Sequence, residues 1–153
     1  MEFNLVALGG TFDIIHAGHI ALLEKGFSIS KKVIIGLTSD ELAEKKGKKL
    51  LNNFQIRYSA LELLLKEKFP NNTSEIAKLD DDFGPAVIEG DVNALVVSEE
   101  TRSKGELLNK LRLEQSQSQV TIIVVPMILA KDGSRISTTR IRNSEIDAQG
   151  NIC

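Results

Sequence analysis

GGTFDIIHAGH, residues 9–19, is the stretch on which the fold turns. An apolar run, FNLVAL (residues 3–8), precedes it, and Ile20, Leu22, Leu23 and Phe27 follow at helical spacing. A strand therefore passes into a helix through a turn. Gly9 and Gly10 allow backbone angles and close approach that a side chain would block, so an anion can lie against main-chain N–H groups at the helix start. Thr11 adds a hydroxyl donor. His16 and His19 stand three apart with Gly18 between them, so at helical spacing both imidazoles point from one face of the first turn into one ligand volume. Their charge would favour phosphate oxygens. The plainer reading is a pair of histidines facing solvent or satisfied by backbone. A zinc site is short of ligands, because these are the chain's only histidines and Cys153 is its only cysteine.

The same alternation continues outward. KVIIGLT (residues 32–38) suits a buried strand, and Ser39 with Asp40 suits a helix cap. Residues 41–49 carry Lys45, Lys46, Lys48 and Lys49 around Gly47, which is either a solvated loop or a mobile phosphate clamp. Phe54, Tyr58, Leu61 and Leu65 fall at i, i+4, i+7 and i+11, and Pro70 follows, so a helix is expected over residues 54–69. Arg57 sits in its first turn, against the helix dipole, which makes it either a surface arginine or one with a specific partner. Strands are expected at 74–79, 94–98 and 120–125, a turn at 80–85 (DDDFGP), and a helix opened by Gly105 and carrying Leu107, Leu108 and Leu111. The polar string after Ser98, beginning with Glu99, then lies at the carboxyl edge of the sheet, where α/β proteins place ligands. In KDGSRISTTRIR (residues 131–142), Asp132 and Gly133 make a turn, and Ser137, Thr138 and Thr139 are helix-cap residue types followed by Arg140 and Arg142. They read as ordinary capping or as a second phosphate-facing cluster.

Strand and helix alternate without repeat or linker, which implies a single α/β, Rossmann-like domain with a parallel sheet, helices on both faces and right-handed crossovers. A length of 153 residues fits one such domain, and 42% hydrophobic residues can supply its core. A net charge of −2 argues against a general nucleic-acid surface, which needs a basic face. No apolar run approaches the roughly 18 residues of a membrane span, and Glu2 and Asn4 stand where a secretory signal would be basic. The expected compartment is the cytoplasm, where the glycosylation-type triplets at Asn71 and Asn72 carry no meaning. There is no Walker A loop and no GxGxxG.

GGTFDIIHAGH resembles the HxGH signature of the nucleotidyltransferase superfamily, and ISTT (residues 136–139), continuing to Arg142, resembles its ISSTxxR signature. LDDDFGP (79–85), ALVVSEET (94–101) with Gly105, Asn109 and Arg112, and RISTTRIRNSEID (135–147) extend the resemblance to archaeal phosphopantetheine adenylyltransferases and the matching domain of eukaryotic CoA synthase. Thr138 stands where the signature has a second serine, and Asn143 with Ser144 replaces a glycine-containing turn. The resemblance implies adenylyl transfer from ATP to 4′-phosphopantetheine, giving dephospho-CoA and pyrophosphate, with magnesium accompanying ATP and no dedicated protein metal site.

By the same resemblance, His16 and His19 contact ATP phosphates and His19 stabilises the transition state, while Thr11 lies between the reacting phosphates. Gly9, Gly10, Phe12, Gly18, Ser98, Glu99, Ser137, Thr138, Thr139 and Arg142 complete the ATP contacts. Lys46 and Arg57 join Thr11 on the acceptor. A glycerol-phosphate cytidylyltransferase, an FMN adenylyltransferase, or a catalytically silent nucleotide-binding protein on the same fold are the competing readings.

Overall fold

Leu5, Val6, Ala7 and Leu8 show why the first strand must lie inside the molecule: consecutive apolar residues point to opposite faces of a sheet, so both faces need cover. The computed structural model, which describes residues 3–81 and 92–126, supplies that cover. Strand β1 (Phe3–Gly10) is central in a parallel five-stranded sheet with β2 (Ser30–Thr38), β3 (Thr73–Leu79), β4 (Ala94–Ser98) and β5 (Thr121–Val125), in the order β3-β2-β1-β4-β5.

Helices α1 (Ala17–Ile29) and α3 (Phe54–Lys68) pack on one face, where Leu23, Phe27, Leu61 and Leu65 meet Val6, Leu8, Val33, Ile35 and Val96. Helix α4 (Arg102–Glu114) lies on the other, with Leu108 against Ala7, Val92 and Val120. The short α2 (Asp40–Lys45) is capped by Ser39, whose hydroxyl accepts the Leu42 N–H at 3.0 Å. Helices thus stand on both faces, as the alternation of sequence patterns requires.

Three of the boundaries that differ from the sequence reading bear on the site. β1 runs through Gly9 and Gly10, which pair with Gly36 and Leu37, so the glycines end the strand and the turn begins at Thr11. α1 starts at Ala17, after an irregular stretch. α4 starts at Arg102, and Gly105 is buried inside its first turns, where a Cβ would lie 2.7 Å from Ile122 Cδ1. Residues 82–85 of the expected turn, and the whole of 131–142, lie outside the described residues.

Gly36 gives the Leu79 side chain its space across the β2–β3 pair. A Cβ there would stand 2.8 Å from Leu79 Cγ, and Leu79 is itself buried. Gly36→Ala is expected to cost about 1–3 kcal/mol by overpacking, measured as a fall in denaturant midpoint at unchanged slope.

Candidate active site

The chain order reverses between β1 and β4: β1 is followed by β2 on one side, and β4 is followed by β5 on the other. Such a switch opens a crevice at the carboxyl ends of the strands. Val6 pairs with Ala94 and Ala7 with Leu95, and this register carried forward sets Ser98 level with Gly10. Thr11 and the residues after Ser98 therefore leave the sheet side by side.

The turn is tied down before it reaches the helix. The Thr38 hydroxyl donates to the Gly10 carbonyl at 3.2 Å. Phe12 takes a left-handed backbone (φ 51°), uncommon for a residue with a side chain and costing of order 1–3 kcal/mol where tertiary packing holds it. Its ring is 1% exposed and lies 4.7 Å from the His19 ring. The side chain packs beneath His19.

The histidines form the start of α1. His16 is the N-cap: its Nδ1 accepts the Gly18 N–H at 3.1 Å, and its own N–H donates to His19 Nδ1 at 3.2 Å. The rings stack with centroids 3.9 Å apart. Gly18 is required by this approach, because a Cβ would stand 2.9 Å from His16 Cε1. With each Nδ1 accepting, a neutral imidazole at either position carries its proton on Nε2. Burial, reinforced by the neighbouring His16, pushes the His19 pKa down to about 3. The expectation of a charged pair is thereby corrected for His19, which offers a neutral N–H donor. The helix start is also less open to an anion than the sequence suggests, since the His16 and Gly18 amides already donate to imidazole nitrogen.

The lysine that meets the turn is Lys48. Its Nζ donates to Thr11 Oγ1 at 3.0 Å, whereas Lys46 forms the C-cap of α2 with its backbone N–H on Leu42 and Glu44 carbonyls. Lys48 is a member of the cluster that the sequence did not single out, since composition alone does not distinguish four lysines around one glycine.

Arg57 is also placed otherwise than expected. It is 1% exposed, and its guanidinium donates to the carbonyls of Asn52 (3.1 Å), Thr11 (2.9 Å) and Thr38 (2.7 Å) and to Asp40 Oδ1 (2.8 Å). These bonds commit four of its five N–H donors to the protein. It braces the turn from below. Burial would raise the Asp40 pKa, but the Phe54 N–H, then Arg57 and Lys78, outweigh it and hold the carboxyl below its ordinary value.

Ser98 is half-buried, with its N–H and hydroxyl on Thr101 Oγ1 at 3.1 Å, and Glu99 is exposed at the start of a 3₁₀ turn (Glu99–Thr101). Gly9, Gly10, Thr11, His16, Gly18, His19, Ser98 and Glu99 thus share one edge of the sheet. Ser137, Thr138, Thr139 and Arg142 lie outside the described residues. Asp13, which sequence reasoning passed over, is buried against this edge.

A family model described as cytidylyltransferase-like matches residues 7–144. The chain belongs to this cytidylyltransferase-like family. It is 39% identical to a protein of Methanothermobacter thermautotrophicus named phosphopantetheine adenylyltransferase, over 99% of this chain and 90% of that protein. A protein of the same name from Methanosarcina barkeri is 41% identical over 96% of this chain and 91% of its own. Among solved structures, a protein of unknown function from Archaeoglobus fulgidus superposes with a TM-score of 0.72 at 31% identity, covering 78% of this chain and 87% of that one. The family assignment and these relatives agree with the resemblance carried by GGTFDIIHAGH and ISTT. Among the described residues of this cytidylyltransferase-like chain, no helix is long and apolar enough to cross a membrane.

Proposed function

We propose that this chain transfers the adenylyl group of ATP to 4′-phosphopantetheine, giving dephospho-CoA and pyrophosphate, a step in coenzyme A biosynthesis. The observation that carries the reading is 39% and 41% identity, over nearly the full length, to proteins named for that reaction. The geometry of the turn supports it. The acceptor is a phosphate oxygen already ionised at neutral pH, so no general base is needed. Rate must come from alignment and from donors placed where charge develops at the α-phosphorus.

Thr11 stands between the two reacting groups, with Lys48 beside its hydroxyl to hold the incoming phosphate. His16 and His19 face the ATP phosphates through Nε2–H, and His19 donates to the transition state. Ser137, Thr138, Thr139 and Arg142 are assigned to the β- and γ-phosphates, and Ser98 and Glu99 to adenosine or pantetheine. Magnesium is proposed to arrive with ATP. The imidazole N–H, hydroxyl and ammonium groups at the turn suit phosphate oxygens and not a cation, so the nucleotide phosphates would hold the magnesium. The cytoplasm is the proposed compartment.

The test is a pyrophosphate-release panel crossing ATP and CTP with 4′-phosphopantetheine, glycerol phosphate and FMN. Turnover is expected with ATP and 4′-phosphopantetheine. The family description makes cytidylyl transfer the rival, and preferential turnover of CTP with glycerol phosphate would overturn the assignment.

A further inference from the structure

The geometry points to Asp13 as a positioning residue that holds Lys48 at the acceptor side of the turn by clamping the loop after it, residues 50–53. The Asp13 side chain lies inside the turn, and the residue is 8% exposed. Its Oδ2 accepts the Leu51 N–H at 2.9 Å and its Oδ1 the Asn52 N–H at 3.0 Å, while its carbonyl accepts Asn52 Nδ2 at 3.0 Å. Three bonds therefore join the turn that carries Thr11 and the histidines to a loop 38 and 39 residues further along the chain.

The loop is tied at its two ends, where the Lys48 N–H donates to the Ala43 carbonyl at 3.0 Å and Asn53 caps α3, and Asp13 holds the stretch between them. Residues 48–53 form no helix or strand, and Leu51 is 58% exposed, so burial of its side chain does not anchor the backbone. Asn52 is held from both sides, by Asp13 and by the Arg57 Nε–H on its carbonyl. Lys48 lies three residues before Leu51, and a lysine side chain has four flexible bonds of its own. The backbone that carries it is pinned before it by the Ala43 carbonyl and after it by Asp13, which sets its ammonium 3.0 Å from Thr11 Oγ1.

A carboxylate suits this task because it is acceptor-only at both oxygens, and each oxygen faces a backbone N–H. Asparagine keeps the shape but must turn an NH₂ donor toward one of the two amides, which breaks one arm of the clamp and sets donor against donor.

The inference rests on the adenylyl-transfer reading for the identity of the acceptor, and two measurements separate the two. In steady-state kinetics, Asp13→Asn is expected to raise KM for 4′-phosphopantetheine roughly tenfold, with KM for ATP changed less than about twofold. Lys48→Ala should do the same, and Asp13→Asn added to Lys48→Ala should bring little further loss, because both act through one contact. Additive effects, or equal rises in both KM values, would overturn the positioning role.

In amide hydrogen exchange of the free protein, Asp13→Asn should speed exchange at Leu51 and Asn52 by roughly tenfold or more while the amides of β1 and β2 keep their protection. Unchanged exchange at these two amides overturns the clamp. Should the parent fail to use 4′-phosphopantetheine, the functional reading falls and the exchange result alone decides the clamp.

Discussion

His19→Ala is expected to lower kcat roughly 10²-fold or more at saturating ATP and 4′-phosphopantetheine, the scale of losing one donor aimed at transition-state charge. The stack with His16, the Phe12 ring beneath it and the bond from the His16 N–H to Nδ1 hold this imidazole in one orientation and one tautomer. A donor fixed in advance does not reorganise as the α-phosphorus gains charge. Parental turnover in the variant would remove His19 from the mechanism.

The variant should remain folded, because the change removes one arm of a helix cap, about 1 kcal/mol. For a chain of this size that is roughly 2–4 °C in Tm. A pH dependence accompanies it. The unfolded chain takes a proton on this imidazole near 6.5, and the folded chain only near 3. Over that interval the unfolded state binds more protons, so stability falls as pH falls. His19→Ala lacks that contribution, and its thermal melts should lose less between about pH 7 and pH 4 than those of the parent.

Arg57→Met should destabilise the fold by about 3 kcal/mol, as expected when one partner of a buried, hydrogen-bonded charge network is removed. Methionine fills much of the volume but leaves the Thr11, Thr38 and Asn52 carbonyls without the N–H groups they now accept. Asp40 keeps the Phe54 N–H, and its partly exposed side chain can recover water, so the loss comes chiefly from the carbonyls. In thermal unfolding the expected fall is roughly 6–12 °C. A change below about 1 kcal/mol would mean that water replaces the guanidinium at these carbonyls and that Arg57 is not a structural hub.

The difference between Arg57 as read and Arg57 as found shows where a sequence stops being informative. The apolar runs at 3–8, 32–38 and 94–98 read as strands because a parallel sheet buries both faces and leaves a continuous hydrophobic signature. β1 continues through Gly9 and Gly10 because strand pairing is made by the backbone, on which two glycines leave no hydrophobic mark. Arg57 has main-chain carbonyls as its principal partners, and a carbonyl has no residue identity to read. Lys48 meets Thr11 because a left-handed residue at Gly47 (φ 72°) and the Asp13 bonds direct the chain after α2. Both devices join positions far apart in sequence. The histidine pair was legible because its spacing is local, while its neutrality was not, since burial by Phe12 and His16 sets it.

In the proposed mechanism, helix initiation and catalytic readiness share the same two bonds at the start of α1. Many working sites hold groups that the fold would be more stable without, so random substitution there often trades activity for robustness. At positions 16 and 19 that exchange is closed. A replacement that cannot accept the backbone N–H frays the helix and also loses the aimed donor. A search for sturdier variants of this chain should therefore keep both imidazoles even when it selects on heat resistance alone.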